Sequence, residues 1–441
     1  MQTKGHLIIT TFFILTILLS ACGAKAPDGA ITPGGPTSTP SASETAASTE
    51  SPTPSPLLTI SKTGFTQIES VVWYAFIIKN ISPEMAAENI RYKIIVSDQN
   101  GSVLATDKAS IGLLMPNQEL GFVGSVKLKK DQVMSRLEVF QTGADFTKTE
   151  SLPAITIDPA TVYNDETGNY AVSLVTNPFN HKLVDLNIYA VAYNANGDII
   201  GGGVNKLAVL LANSTSGVRL MINQTEDIAR VDLYAELPNL AAANPDYETP
   251  PSSELIVQEF GFGQIQDRAS FGILFKNPSS TAFLQGSRFH MTAYSADGKV
   301  VAAANGSLPV LLPGEAFGIG GRFRIVPGTT IDHLDFQVLT GEYVEGDPQL
   351  KFQFEGVTFV PGTPGKITGT LVNPYTNLKF KNLTVYALSR DASGKIVGGG
   401  ITNVNRVEAG GKVPVELAML TSSAVTSVEL FAFVPTLDDL K

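Results

Sequence analysis

One stretch of this 441-residue chain is written four times. Its clearest form is residues 186–203, LNIYAVAYNANGDIIGGG: an apolar run, an Asn-Gly step, and a second apolar run ending in small residues. Asn-Gly tolerates the positive φ angles of a tight two-residue turn, so the stretch predicts a β-hairpin. It returns as NLTVYALSRDASGKIVGGG, and in looser form as RFHMTAYSADGKVVAAA and RYKIIVSDQNGSVLATD. A chain built this way is a tandem of β modules, and the repeat outranks length as a guide to domain count.

The landmarks around each hairpin recur in the same order. A first strand reads LLTISKTGF, AITIDPATV, LIVQEFGF or LKFQFEGVTF. A second strand stops at Asn80, Asn177-Pro178, Asn277-Pro278 or Asn373-Pro374, because proline donates nothing to a ladder. About twenty residues on come the turns Asn100-Gly101, Asn196-Gly197, Asp297-Gly298 and Ser393-Gly394. A closing strand, RLEVF, RVDLY, HLDFQ or SVELF, alternates apolar with polar, the period of a half-buried strand. Counting back from the turn glycine sets Tyr92, Ile188, Phe289 and Val385 in one inward register, with Ile94, Ala190, Met291 and Ala387. A slip of one residue would expose them all. Short strands with regular turns predict an all-β chain of four tandem immunoglobulin-like antiparallel β-sandwiches, at 57–143, 155–238, 255–341 and 350–435. Polar or proline-bearing joints separate them, such as NLAAANPDYETPPSSE.

The copies fall into pairs. Modules one and three share Gly-Phe-x-Gln-Ile, at residues 64–68 and 261–265. Modules two and four share Asn-Pro-aromatic, Tyr-Ala and a triple glycine. Gly64 to Gly261, Gly197 to Gly394 and Gly202 to Gly399 are all shifts of 197 residues, so a two-module unit has been duplicated.

The middle of each module, an alternating strand followed by Tyr/Ser-x-x-Gly-x-Val/Ile, is similar to the FxLYD domain. Module three is closest, with Phe289, Tyr294, Asp297 and Gly298, then Leu312-Pro313-Gly314-Glu315. Modules one and four depart, with Val96-Ser97 and Ser389-Arg390 where an aromatic is expected. The resemblance implies an immunoglobulin-like sandwich found in exported bacterial and archaeal proteins, with no common catalytic site.

The N-terminus reads as an address. Lys4 makes a short positive region, and LIITTFFILTILL follows, too short to span roughly 30 Å of hydrocarbon. Leu19-Ser20-Ala21-Cys22 then resembles the lipobox of bacterial lipoproteins. That resemblance implies a signal peptide over 1–21, cleavage before Cys22, and diacylglyceryl transfer to the Cys22 thiol. Two or three acyl chains hold a membrane firmly where one binds only marginally. Residues 22–56 are almost all Ala, Gly, Pro, Ser and Thr, a composition that cannot repay the entropy of ordering and makes a disordered tether.

Composition excludes several classes. The net charge is −10 and no block of Lys or Arg forms a phosphate-binding face, so no nucleic-acid partner is expected. Cys22 is the only cysteine, which rules out an intramolecular disulfide and a cysteine metal set. The triple glycines lack the following helix of a phosphate loop, and read instead as a bulge or close backbone approach. The turn at Asp98-x-Asn100-Gly101 echoes a calcium loop but lacks its later ligands. Glu138, Asp232, Asp335 and Glu429 recur once per module, as outward charges on a strand rather than an acid–base pair. His181, His290 and His333 sit at different landmarks or in different modules, and Trp73 lies in an apolar strand. No metal and no cofactor is expected. The expectation is a non-catalytic, membrane-anchored envelope lipoprotein, facing outward from the membrane, that binds or spaces. Its partners would be membrane lipid through Cys22, and a protein or envelope polymer. The alternatives are a stalk without a ligand, and an extracytoplasmic hydrolase or solute receptor.

Overall fold

A computed structural model of the chain describes residues 57–150, 152–243, 254–346, 348 and 350–433. They lie within one compact unit, and are strand apart from loops and a single 3-10 turn at Ala241–Ala243. The first module is β1 (Leu58–Ile68), β2 (Val71–Asn80), β3 (Met85–Ser97), β4 (Val103–Leu114), β5 (Glu119–Lys127) and β6 (Arg136–Lys148). Sheet β1-β2-β5 faces sheet β4-β3-β6, and every pairing is antiparallel.

Module two has β7 (Thr156–Ile157), β8 (Thr161–Asp165), β9 (Gly168–Thr176), β10 (Leu183–Tyr193), β11 (Ile199–Leu210), β12 (Thr215–Gln224) and β13 (Arg230–Glu236). Its two layers join at one corner, where Gly201 and Gly202 of β11 pair Gln224 and Asn223 of β12. Module three has β14 (Ile256–Ile265), β15 (Arg268–Lys276), β16 (Ala282–Gln285), β17 (Arg288–Tyr294), β18 (Val300–Ser307), β19 (Ala316–Arg324), β20 (His333–Leu339) and β21 (Glu342–Glu345). Its layers are β14-β15-β19 and β18-β17-β20, with β16 paired to β21. Module four has β22 (Gln353–Val360), β23 (Gly365–Val372), β24 (Phe380–Arg390), β25 (Ile396–Val407), β26 (Lys412–Met419) and β27 (Ser427–Phe433), as β22-β23-β26 over β25-β24-β27. The chain is thus all-β, a series of sandwiches.

Alternation sets the faces. All eight residues of the expected inward register are buried, while Arg91 and Lys93, which alternate with Tyr92 and Ile94 on β3, are exposed. The second strands stop where expected, but the asparagine does more than precede a proline. Asn80 is fully buried, and its Nδ2 donates to the carbonyls of Met85, Leu114 and Met115 while its Oδ1 accepts from Ser82. Asn177 and Asn277 make the corresponding bonds in their own modules, and Asn373 donates to Leu378 and Glu408 and accepts from Tyr375. Each buried amide ties the end of one strand to two later stretches of its own module, satisfying carbonyls that leave the ladder at the sandwich rim.

The hairpin turns differ from the expected two-residue type. Only the glycine has positive φ: +79° at Gly101, +80° at Gly197, +77° at Gly298 and +84° at Gly394. Gly101 N–H donates to Asp98 C=O, and Asp98 N–H to Ser102 C=O, closing a longer loop with a left-handed glycine. The Asp98 carboxylate accepts from the backbone of Asn100 and Ser102. That explains the Asx two places before Asn100 without a cation.

Four apolar cores form, and three of them cross a module boundary. The first takes in Tyr189, Val191 and Ile199 of module two, the second takes in Ala86 and Leu113 of module one, and the third takes in Phe433 of module four. The modules are therefore joined, not separated beads.

Candidate functional site

Cys22 and the preceding Leu19, Ser20 and Ala21 lie outside the described residues. The turn residues Asn100, Asn196, Asp297 and Ser393, each with its following glycine, stand exposed or half-buried at the tips of four hairpins. They are not brought together in one site. Asp297 is held at about 2 by hydrogen bonds from Lys299 and Ser295, so its carboxylate is already committed.

Three of the four recurring acidic residues pair with an arginine of their own sheet. Glu138 pairs with Arg136 at 2.7 Å, Asp232 with Arg230 at 3.1 Å and Glu429 with Arg390 at 2.8 Å. Among the described residues, no group of three or more His, Cys, Asp or Glu is placed to hold a metal ion. Trp73 is half-buried against the first core. His181 Nε2 meets the Ala242 carbonyl at 2.9 Å. A cleft of about 470 Å³ opens between modules one and two, lined by Met115, Pro116, Leu152, Pro153 and Leu237 among others, with no titratable group among the described residues of its wall.

The built features are the joints. A side chain at Gly64 on β1 would run into the Ile199 carbonyl of module two, and one at Gly261 on β14 into the Ile396 carbonyl of module four. The partner positions are also 197 residues apart. The triple glycines are the other half of the same contact. A Cβ on Gly399 would meet the Phe271 carbonyl and Gly320 of module three, and one on Gly202 would meet Val123 of module one. Removing side chains from both surfaces lets two sheets approach backbone to backbone. Aromatic rings close the rim: Phe122 and Tyr189 lie 5.0 Å apart, and Phe317 and Phe431 5.1 Å. The expected bulge at the triple glycine is present, with Gly201 at φ +140° and Gly398 at +147°. What the sequence did not reveal is that Gly-Phe-x-Gln-Ile and the triple glycine are two halves of one joint. The common shift of 197 residues was the available signal.

A second kind of joint links the pairs. The open edge of β12 in module two lies on the outer face of β17 and β20 in module three. His290 Nε2 donates to the Gly217 carbonyl at 2.6 Å, and Thr292 Oγ1 accepts from Gly217 N–H at 2.8 Å. Gln337 Nε2 donates to Thr215 C=O and its Oε1 accepts from Leu211 N–H, each at 2.8 Å. Three side chains on a sheet face thus do for an edge strand what a neighbouring strand would do. All three are buried, at 4%, 1% and 4% exposure. His290 Nδ1 has no hydrogen-bond partner among the described residues, and burial pushes the ring down to about 4, against the Gly217 carbonyl that favours its protonated form. Around this seam Arg288 pairs with Asp185, and Arg268 and Arg324 both reach Glu166. The neighbouring Asp165 loses solvation, but hydrogen bonds from Thr167 and the Arg219 charge outweigh that and hold it below the ordinary carboxylate value. From the sequence His290 is weighed only as a metal ligand; its place in a seam is not legible, because an isolated polar residue at an outward strand position looks like any solvated one.

No family model matches the chain, and no curated protein matches it.

Proposed function

We propose that the chain is a lipid-anchored protein of the bacterial cell envelope that presents its β-sandwiches as a non-catalytic binding or spacing array. The observation that carries this reading is the position of Cys22: the single cysteine of 441 residues follows Leu19-Ser20-Ala21 at the end of a thirteen-residue apolar run. Its thiol would take a diacylglyceryl group, and cleavage before it would expose an amine for a further chain. About 0.8 kcal/mol per buried CH₂ makes two or three chains a lasting anchor. The Pro/Ser/Thr segment after it would set the sandwiches roughly 30 Å from the lipid. The FxLYD-like pattern points the same way, toward exported immunoglobulin-like modules. The joints support an array that moves as a piece, because glycine-on-glycine contacts and the His290 seam leave little freedom between neighbours.

The test is expression of the full chain and of Cys22→Ser in a bacterial host. The unaltered chain is expected in the membrane fraction, with an acyl-modified N-terminal peptide by mass spectrometry. The Cys22→Ser chain is expected to keep its signal segment and carry no acyl group. An unaltered chain whose Cys22 bears no lipid overturns the reading. Capture from envelope extracts on the purified chain then separates binding from spacing.

A further inference from the structure

In module three the outer face of β18-β17-β20 is covered by the edge of β12. One repeat back, the same face of module one is β4-β3-β6. One repeat on, the same edge of module four is that of β26. Neither is covered among the described residues. Val103 is 59% exposed where its twin Val300 is 7%, and Phe140, the twin of Gln337, is 44% exposed. Lys93 and Lys108 stand directly opposite each other on that face, both exposed.

We propose that a second copy of this chain docks here. The β26 edge of its module four would lie on the β4-β3-β6 face of module one, head to tail, as β12 lies on β17 and β20 within one chain.

Several substitutions at the two bare surfaces match each other, although Phe140 replaces the two hydrogen bonds of Gln337 by apolar cover alone. Inside the chain Thr292 accepts from the N–H of Gly217. Their twins are Ile95 and Pro414, so the acceptor disappears on one side where the donor disappears on the other. Changing one alone would strand a polar group in the contact, and neither is stranded. The Gly217 carbonyl accepts from His290, whose twin Lys93 is again a donor, and proline keeps its carbonyl. Asn305 donates to the Lys206 carbonyl at 2.9 Å; its twin Lys108 is also a donor, and between copies it would face Asn403, the twin of Lys206.

Arg288 binds Asp185, and their twins are Arg91 and Asn382. Asp185 and Asn382 share a left-handed backbone, φ +57° and +53°, so the side-chain oxygen is presented alike. Pro414 also bars strand addition to β26. What covers that edge must therefore use its carbonyls and its proline ring, as Lys93 and Ile95 do. The Glu166 cluster has no counterpart, since Val71 stands where Arg268 does, so the contact between copies is weaker than the joint within one. A heterologous contact of this kind repeats into rings or open filaments.

The test uses the full chain carrying Cys22→Ser, so that introduced thiols are the only ones. One batch also carries Lys93→Cys and a second Pro414→Cys, both at exposed positions. On oxidation the mixture is expected to yield disulfide-linked dimer about tenfold above either batch alone. It should exceed by the same margin a mixture of Lys93→Cys with Ser393→Cys, a thiol on the module-four turn. In sedimentation equilibrium the full chain without introduced thiols is expected to gain mass with concentration, and Phe140→Asp to abolish that gain. Equal cross-linking in all mixtures overturns the proposal. So does a chain that stays monomeric up to about 1 mM, or association that Phe140→Asp leaves unchanged.

Discussion

Asn277 donates to three carbonyls and accepts one N–H from a fully buried position, so its amide cannot be replaced by a side chain of one polarity. Asn277→Ala strands those groups and is expected to cost roughly 2–4 kcal/mol. Asn277→Asp fits the space but brings no N–H, and should lose about as much in chemical denaturation. Two glycines separate two kinds of constraint. Gly298 has φ +77° and open space where a Cβ would go, so Gly298→Ala pays only backbone strain, about 1 kcal/mol. Gly261 has ordinary φ but faces the Ile396 carbonyl, so Gly261→Ala must separate two modules and is expected to cost about 3 kcal/mol. Thermal melting of the two variants side by side checks the order. The glycine at 298 was legible from its turn. The one at 261 was not, because the atoms that exclude a side chain there lie 135 residues away.

At the scale of the strand, alternation and register were readable, since period two is local and a slip would expose a whole core face. Edges were not. The β12 edge is covered by side chains from another module, and that cover has a pH dependence. Burial lowers the His290 pKa to about 4 in the fold, against 6.5 in an unfolded chain. Its contribution is fully present above pH 6.5. It is lost progressively as the pH falls from 6.5 to about 4, where the unfolded chain takes up a proton that the folded one does not. The loss approaches about 3 kcal/mol at most. His290→Gln can supply the N–H to Gly217 without titrating. The fall in unfolding midpoint between pH 6.5 and 4 is therefore expected to be smaller in His290→Gln than in the unaltered chain. An equal fall in both would remove His290 as its source.

For the whole molecule, the pairs of modules are the units of stability. The first core contains side chains of modules one and two, and the third those of modules three and four. Gly261→Val is therefore expected to lower the calorimetric transition of modules three and four together, leaving that of modules one and two within a few degrees. Hydrogen exchange read separately on β10 and β24 would show which pair opened. The sequence by itself determined the strands, their inward faces, the four-fold plan and its duplication as pairs, because each rests on spacing along the chain. Only the tertiary structure decided that the modules are joined, that two glycine motifs repeated at one spacing form one contact surface, and that an uncharged His-Thr-Gln set carries the seam between pairs. Those contacts depend on which faces meet, and residues far apart in the chain leave no periodic mark of meeting.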